Sequence, residues 1–218
     1  MTPSTTIFIL MLAAFVCGIL VAYGFDRGYY GDFSSQNHGE AAVARAIQAN
    51  FSTPDYHLLN NITLRMADGT TQIDHILISR FGVFVIETKD YKGWIFGDER
   101  QKEWTQVLFK AKFRFQNPLL QNFRHVCAVR NVLDFLPSDT VRSIVVFTGS
   151  AEFKAGIPAN VFNVSGMVEF LRWQRREVMS ANRMQFCVGR LETKRLEISR
   201  ETDVQHRRAL ERRYGPRN

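Results

Sequence analysis

The chain is poor in cysteine, with only Cys17, Cys127 and Cys187 in 218 residues. That is too few, and too scattered, for a disulfide framework or a cysteine-based zinc site. The five histidines, at 38, 57, 75, 125 and 206, form no H-x3-H or HExxH spacing, which argues against a zinc hydrolase. There is no G-x-S-x-G elbow, no Walker A sequence and no Gly-rich phosphate loop of the Rossmann kind. Serine hydrolases of the elbow type, P-loop NTPases and dinucleotide enzymes therefore lack their signatures. No internal repeat or low-complexity tract occurs. At 45% hydrophobic and 22% charged residues, the composition is that of globular material and excludes disordered, collagen-like and coiled-coil classes.

Charge is missing altogether before Asp26. Residues 7–23 read IFILMLAAFVCGILVAY. As a helix this stretch would be about 25 Å long, close to the ~30 Å of a bilayer's hydrocarbon core. A cleaved signal peptide would want Lys or Arg in its first residues, and MTPSTT has none. A buried globular helix would show a polar face, and this segment has none. The expectation is a retained single-pass anchor in residues 1–25, followed by a Gly/Ser/Asp-rich linker over 26–37. Few basic residues flank the segment. The lean is toward a cytoplasmic-membrane protein with its C-terminal part on the cytoplasmic side.

The net charge of +7 is uneven. Residues 161–218 hold 13 basic and 7 acidic side chains, concentrated in RWQRR (172–176), HRR (206–208) and ERRYGPR (211–217). Three readings stand side by side: a clamp on nucleic-acid phosphates, attraction to anionic lipid beside the anchor, and a solvated helical tail. A second cluster, KAKFR (110–114), interleaves bases with an aromatic ring. Trp94, Phe96 and Trp104 are candidates either for stacking on bases or for the core.

Periodicity predicts a helix over 38–51, a strand over 56–64, a turn at Asp68-Gly69, and the strongest strands over 72–79 and 83–91. Short strands are expected over 93–97 and 104–109. Asn117-Pro118 reads as the start of a helix reaching about Phe135, with Pro137 as its stop. A buried strand follows over 141–148. Ser165 is expected to cap a helix to about Val178, within a basic helical extension over 165–218. The order of elements is mixed α/β, neither a βαβ ladder nor an all-β series.

The two strong strands are joined by Arg80-Phe81, which suggests a tight antiparallel hairpin. With Ser79 opposite Gly82, Asp74 would face Glu87 and Gln72 would face Lys89. Alternation would put Asp74, Ile76 and Ile78 on one face with Val85, Glu87 and Lys89, and Ile73, His75 and Leu77 on the other. Two carboxylates and an ammonium then converge. Opposed like charges destabilise a sheet, and a desolvated carboxylate pair needs a cation. One reading is an edge-strand salt-bridge cluster. The other is a site for Mg²⁺ or Mn²⁺, which prefer hard oxygen ligands.

Gly39-Glu40 opening a helix, TTQIDHILIS, FGVFVIETKDYKGWIFG, Trp104 and NPLLQN (117–122) together resemble the nuclease-related domain (NERD) over roughly residues 38–148, which puts the expected domain at 38–164. That family is regarded as a branch of the PD-(D/E)xK superfamily. The resemblance implies a restriction-endonuclease-like α/β core, with a central mixed sheet flanked by helices. It places Asp74, Glu87 and Lys89 in the D…ExK positions, Glu40 in the metal shell and Gln121 near the active site. His75 and Asn117 also match, and packing or capping explains them equally well. Glu40 has an alternative reading as an acid favouring its helix start. The implied activity is Mg²⁺- or Mn²⁺-dependent hydrolysis of nucleic acid, DNA rather than RNA. The alternative is an inactive nucleic-acid-binding or interaction module on the same scaffold.

Overall fold

The computed structural model describes residues 33–197, with side chains from His38, and Val204 beyond them. The proposed anchor over 7–23 and the basic stretches at 206–208 and 211–217 lie outside the described residues. Among the described residues, no helix is long and apolar enough to cross a membrane.

The elements run α1 (Phe33–Asn50), β1 (Tyr56–Met66), β2 (Gly69–Ser79), β3 (Gly82–Lys89), β4 (Gly93–Phe96), β5 (Glu103–Leu108), β6 (Ala111–Gln116) and α2 (Pro118–Val132). A short 3-10 turn at Ser138–Thr140 leads into β7 (Val141–Phe147), β8 (Ala151–Phe153), β9 (Val161–Asn163), α3 (Val164–Arg172) and α4 (Ala181–Lys194). The expected linker is shortened, because α1 already begins at Phe33.

Two mixed sheets result. The first has the order β1-β2-β3-β7-β9, and the second β6-β5-β4-β8. In the first, β1, β2 and β3 are antiparallel, and β7 and β9 are parallel to β3. Every side chain of β3 is buried, so an apolar run closed by Glu-Thr-Lys is accommodated only because helices cover both faces. On one face Val43 and Ile47 of α1 and Met167 and Leu171 of α3 meet Leu77, Phe84, Ile86, Ile144 and Val146. On the other, Val126 and Val129 of α2 and Met184, Cys187 and Leu191 of α4 meet Ile76, Ile78, Val83 and Val85. Each fully buried Val, Leu or Ile contributes roughly 1.5–3 kcal/mol. Helices α3 and α4, which lie almost wholly in the stretch expected as a C-terminal extension, therefore complete the helical layer on either face.

The Arg80-Phe81 turn forms, with Ser79 opposite Gly82 and Ile76 opposite Val85. The far end differs from expectation. Pairing between β2 and β3 stops at His75–Ile86, so Asp74 does not face Glu87, and Gln72, which is exposed, does not face Lys89. The physical reason is a fork. Beyond Ile86 the strand β3 keeps its partner β7 as far as Lys89–Phe147, while β2 keeps β1 down to Gly69. At the same rung the alternation of side chains slips. Ile73 joins Ile76 and Ile78 in one cluster, and across the ladder Leu59 and Ile62 share that cluster too. Asn61, which alone in the β1–β2 ladder shares with Asp74 the lack of a paired partner, has φ 52°. Asn tolerates this left-handed conformation better than most residues.

Asn117 caps α2, its side chain accepting from Leu119 N, with Pro118 in the first turn. The helix ends at Val132 rather than near Phe135. The cap of α3 is Asn163, which accepts from Gly166 N, and not Ser165; α3 ends at Arg172, well before Val178. Strands β6, β8 and β9 are additional to the expected set. The inner face of the second sheet, with Ile95, Trp104 and Phe153, packs on Val145, Phe147 and Leu119.

Candidate active site

The fork between β2 and β3 opens a polar gap that both helical layers reach. From β3, Glu87 and Lys89 point toward the α2 side, continuing the row of Val83 and Val85. Lys89 Nζ donates to Glu87 Oε1 at 2.6 Å and to Gln121 Oε1 of α2 at 3.1 Å. The other oxygen of Glu87 accepts from His125 Nε2 at 3.0 Å, and Thr71 Oγ1 lies 2.7 Å from His125 Nδ1. A carboxylate only accepts, so Nε2 carries the hydrogen toward Glu87, and Nδ1 pairs with the Thr71 hydroxyl. Asp74 leans across the gap, and its Oδ2 accepts from Thr88 N at 2.7 Å. Glu40, on α1 in the opposite layer, is close enough to feel the charges of Glu87 and Lys89.

Helix α2 is held in register with the sheet by its asparagines. Asn122, fully buried, donates through its amide to Val85 O, Ile144 O and Ser143 Oγ at 2.8–2.9 Å. Asn117 donates to the carbonyls of Asp98, Glu99 and Gln101. These bonds set Gln121 and His125, one turn apart, above the end of β3. On the other side α1 comes close because Gly39 has no side chain: a Cβ there would meet Thr148 Oγ1 at 2.6 Å and Asp90 Cβ at 3.0 Å. Glu40 is thereby brought within the field of Glu87 and Lys89.

The charges are not balanced. Asp74, Glu87 and Lys89 are 8%, 0% and 8% exposed. Burial would raise the Glu87 carboxyl, but Lys89 and His125 outweigh it and hold the group down at about 2. Burial would lower Lys89, but Glu87, Tyr91 and Asp74 keep its ammonium above the ordinary lysine range. Asp74 goes the other way. Burial, then Glu87, then Glu40, push its carboxyl well above the usual range, against Lys89 and the Thr88 amide. Glu40 is also raised, by burial and then by Glu87. The gap thus contains one paired carboxylate, Glu87, and two acids, Asp74 and Glu40, whose charged forms burial and the neighbouring carboxylates disfavour.

A divalent cation fits that donor chemistry. The available groups are hard carboxylate oxygens, and the carboxyl of Asp74, raised first by burial and then by two acidic neighbours, is one whose charged form a cation would favour. Among the described residues, no group of three or more His, Cys, Asp or Glu side chains is arranged to hold a metal ion as they stand.

All five residues singled out in the sequence meet here: Asp74, Glu87, Lys89 and Gln121 through hydrogen bonds with one another or with the β3 backbone, and Glu40 through its charge. His125 and Thr71 were not foreseen. The sequence signal for His125 is its i, i+4 relation to Gln121, which a search for histidine-only spacings overlooks. His75 lies elsewhere: its Nδ1 donates to Asn60 Oδ1 at 2.7 Å.

A sequence profile described as the nuclease-related domain (NERD) matches residues 35–148, more than half of the chain. An uncharacterized protein of Bacillus anthracis is 44% identical over 97 residues, which cover 44% of this chain and 45% of that protein. The matched part thus spans less than half the length of that relative. No solved structure matches.

Proposed function

The chain belongs to the nuclease-related domain family, and from that premise we propose that it is a divalent-metal-dependent hydrolase of phosphodiester bonds in nucleic acid, DNA in the first place. The observation that carries the reading is the convergence of Asp74, Glu87, Lys89 and Gln121 in a buried fork. The five-stranded mixed sheet between two helical layers is the arrangement that the PD-(D/E)xK resemblance implies, and it supports the same reading.

In this proposal Asp74 and Glu87 hold Mg²⁺ or Mn²⁺, with Glu40 completing the acidic shell. The cation would supply Lewis-acid stabilisation of the charge that builds on the scissile phosphate. Lys89 keeps its proton because Glu87 faces it, so it orients the attacking water and offers a positive charge to the phosphoryl oxygens on which negative charge builds. Gln121 fixes the ammonium from the other side. His125 and Thr71 hold Glu87 in one rotamer. Residues 7–23 tether the domain to the cytoplasmic membrane, with the site on the cytoplasmic side, and the basic C-terminal stretches contact anionic lipid or nucleic-acid phosphates.

The ready-made Lys89–Glu87–His125 cluster favours a second reading: a catalytically inactive, membrane-tethered nucleic-acid-binding module that keeps the scaffold. Incubating the full chain with linear, circular and single-stranded DNA and with RNA, in Mg²⁺, Mn²⁺ or EDTA, separates the two. Hydrolysis predicts products that vanish in EDTA and in Glu87→Gln. The absence of products from every substrate, or wild-type rates in Glu87→Gln, overturns it.

A further inference from the structure

The second sheet has one dry face and one wet one. Its outer face is built from two adjacent rungs whose register is explicit. Trp94 of β4 is flanked by Val107 and then Lys112, and Phe96 by Thr105 and then Arg114. On the other flank β8 runs parallel, placing Glu152 beside Trp94, and Lys154 N bonds to Ile95 O one step on. Trp94 and Phe96 are two residues apart on one strand, about 7 Å along it, and point the same way. They are 49% and 39% exposed, whereas Trp104, on the inner face of the same sheet, is fully buried. Lys154 Nζ sits 4.9 Å over the Trp94 ring.

The tip of the β5–β6 hairpin continues this surface. Phe109 is 95% exposed, and its φ is 54°, a conformation that a bulky side chain rarely adopts. An aromatic ring both strained in backbone and left in water stabilises nothing in the fold. Lys110 follows it, then Lys112 and Arg114 on the edge strand. These, with Lys154, outnumber the face's two acids, Glu103 and Glu152. The ion pairs that those acids make, Arg114–Glu103 at 3.6 Å and Lys154–Glu152 at 2.7 Å, are exposed and therefore weak.

We propose that the outer face of the second sheet binds unpaired nucleic acid, with bases stacking on Trp94 and Phe96 and phosphates held by Lys112, Arg114 and Lys154. Rings at successive rungs with basic residues on both flanks fit a strand whose bases are splayed and whose backbone is negative. A duplex hides the faces of its bases and uses only the charges. The basic stretch 198–218, with six basic and three acidic side chains, is of like sign and is a poor occupant of this face. The proposal deepens the nuclease reading by naming its substrate class, single-stranded or locally opened nucleic acid.

The test is binding without turnover. A fluorescein-labelled oligonucleotide, single-stranded or annealed to its complement, is titrated with the full chain in mild detergent and EDTA, and anisotropy is read. The single strand is expected to bind more tightly than the duplex. Trp94→Ala/Phe96→Ala should weaken single-strand binding at least ~10-fold, with a smaller change for the duplex. Lys112→Ala/Arg114→Ala should flatten the salt dependence by about one to two phosphate contacts. All four side chains stand at the surface, so an unchanged urea midpoint shows that the fold is retained. Unchanged single-strand affinity in the aromatic double variant, or a preference for duplex, overturns the proposal. So does binding that depends on Trp94 to anionic phosphatidylserine vesicles and not to the oligonucleotide, or stronger binding once residues 7–23 are removed with no dependence on Trp94. Because binding is read with metal chelated, a failure to cleave in the separate Mg²⁺ and Mn²⁺ assays counts only against the hydrolase reading and leaves this proposal standing.

Discussion

The two sheets use the same kinds of residue in opposite ways. In the first, Glu87 and Lys89 are buried and held by named partners, and their neighbours are Val, Ile and Phe. In the second, Arg114, Glu103, Lys154 and Glu152 form ion pairs in water beside exposed rings. The first arrangement fixes each charge at one place at the cost of desolvation. The second leaves charges loose and cheap, ready for another molecule. A fixed constellation suits chemistry, and a loose, sticky face suits adhesion to a flexible strand. If both proposals hold, one chain separates reacting from holding by which sheet has helices on both sides.

The largest test of that contrast is removal of one charge from each sheet. Lys89→Ala strands a buried carboxylate and should cost about 3–5 kcal/mol, whereas Lys112→Ala should stay within about 0.5 kcal/mol, both read from urea midpoints. Next comes acid. His75 is held down to about 4 by burial, although Glu87 opposes this, so the folded state refuses a proton that the unfolded chain accepts near 6.5. Stability should therefore fall by up to about 3 kcal/mol as pH drops from 6.5 to 4, and His75→Gln should flatten that part of the curve in EDTA. Asp74 acts in the opposite sense, its raised carboxyl favouring the folded state at low pH. If the profile rises toward acid in both proteins, the His75 account is wrong. Third, Asn122→Ala removes three hydrogen bonds between α2 and the first sheet. It should cost about 2–3 kcal/mol and lower cleavage more than Leu120→Ala, an exposed change on the same helix. The smallest effect on stability is expected for Phe96→Ala, near zero by melting curve, with its consequence confined to binding.

Much of the first sheet was legible because its signals are local. Arg80-Phe81 between two β-rich runs fixes a tight turn, and Asn117-Pro118 carries both a cap and a first-turn proline. The short strands β6, β8 and β9 were not legible. KAKFR in β6 alternates, but it lies on an edge with a charged outer face, and β8 and β9 are three residues each, paired to strands distant in sequence. Asn163 rather than Ser165 caps α3 because residue choice alone does not say where the chain turns. In the site, Asp74, Glu87 and Lys89 were readable as a group, but the assumed straight pairing was not correct. The choice of β3 to stay with β7 depends on a strand more than fifty residues later. His125 offered only its spacing from Gln121, because its partners, Glu87 and Thr71, are joined to it by tertiary packing alone.

The simultaneous slip at Asn61 and Asp74 has a genetic corollary. Because both strands lose step at one rung, a one-codon deletion in β1 alone or in β2 alone would turn every later side chain of that strand inside out relative to its neighbour. A paired deletion of residues 61 and 74 would restore an uninterrupted ladder. Such a protein should fold at least as firmly as the parent while being chemically mute, an engineered inert twin whose one missing capability is whatever the acid at position 74 provides.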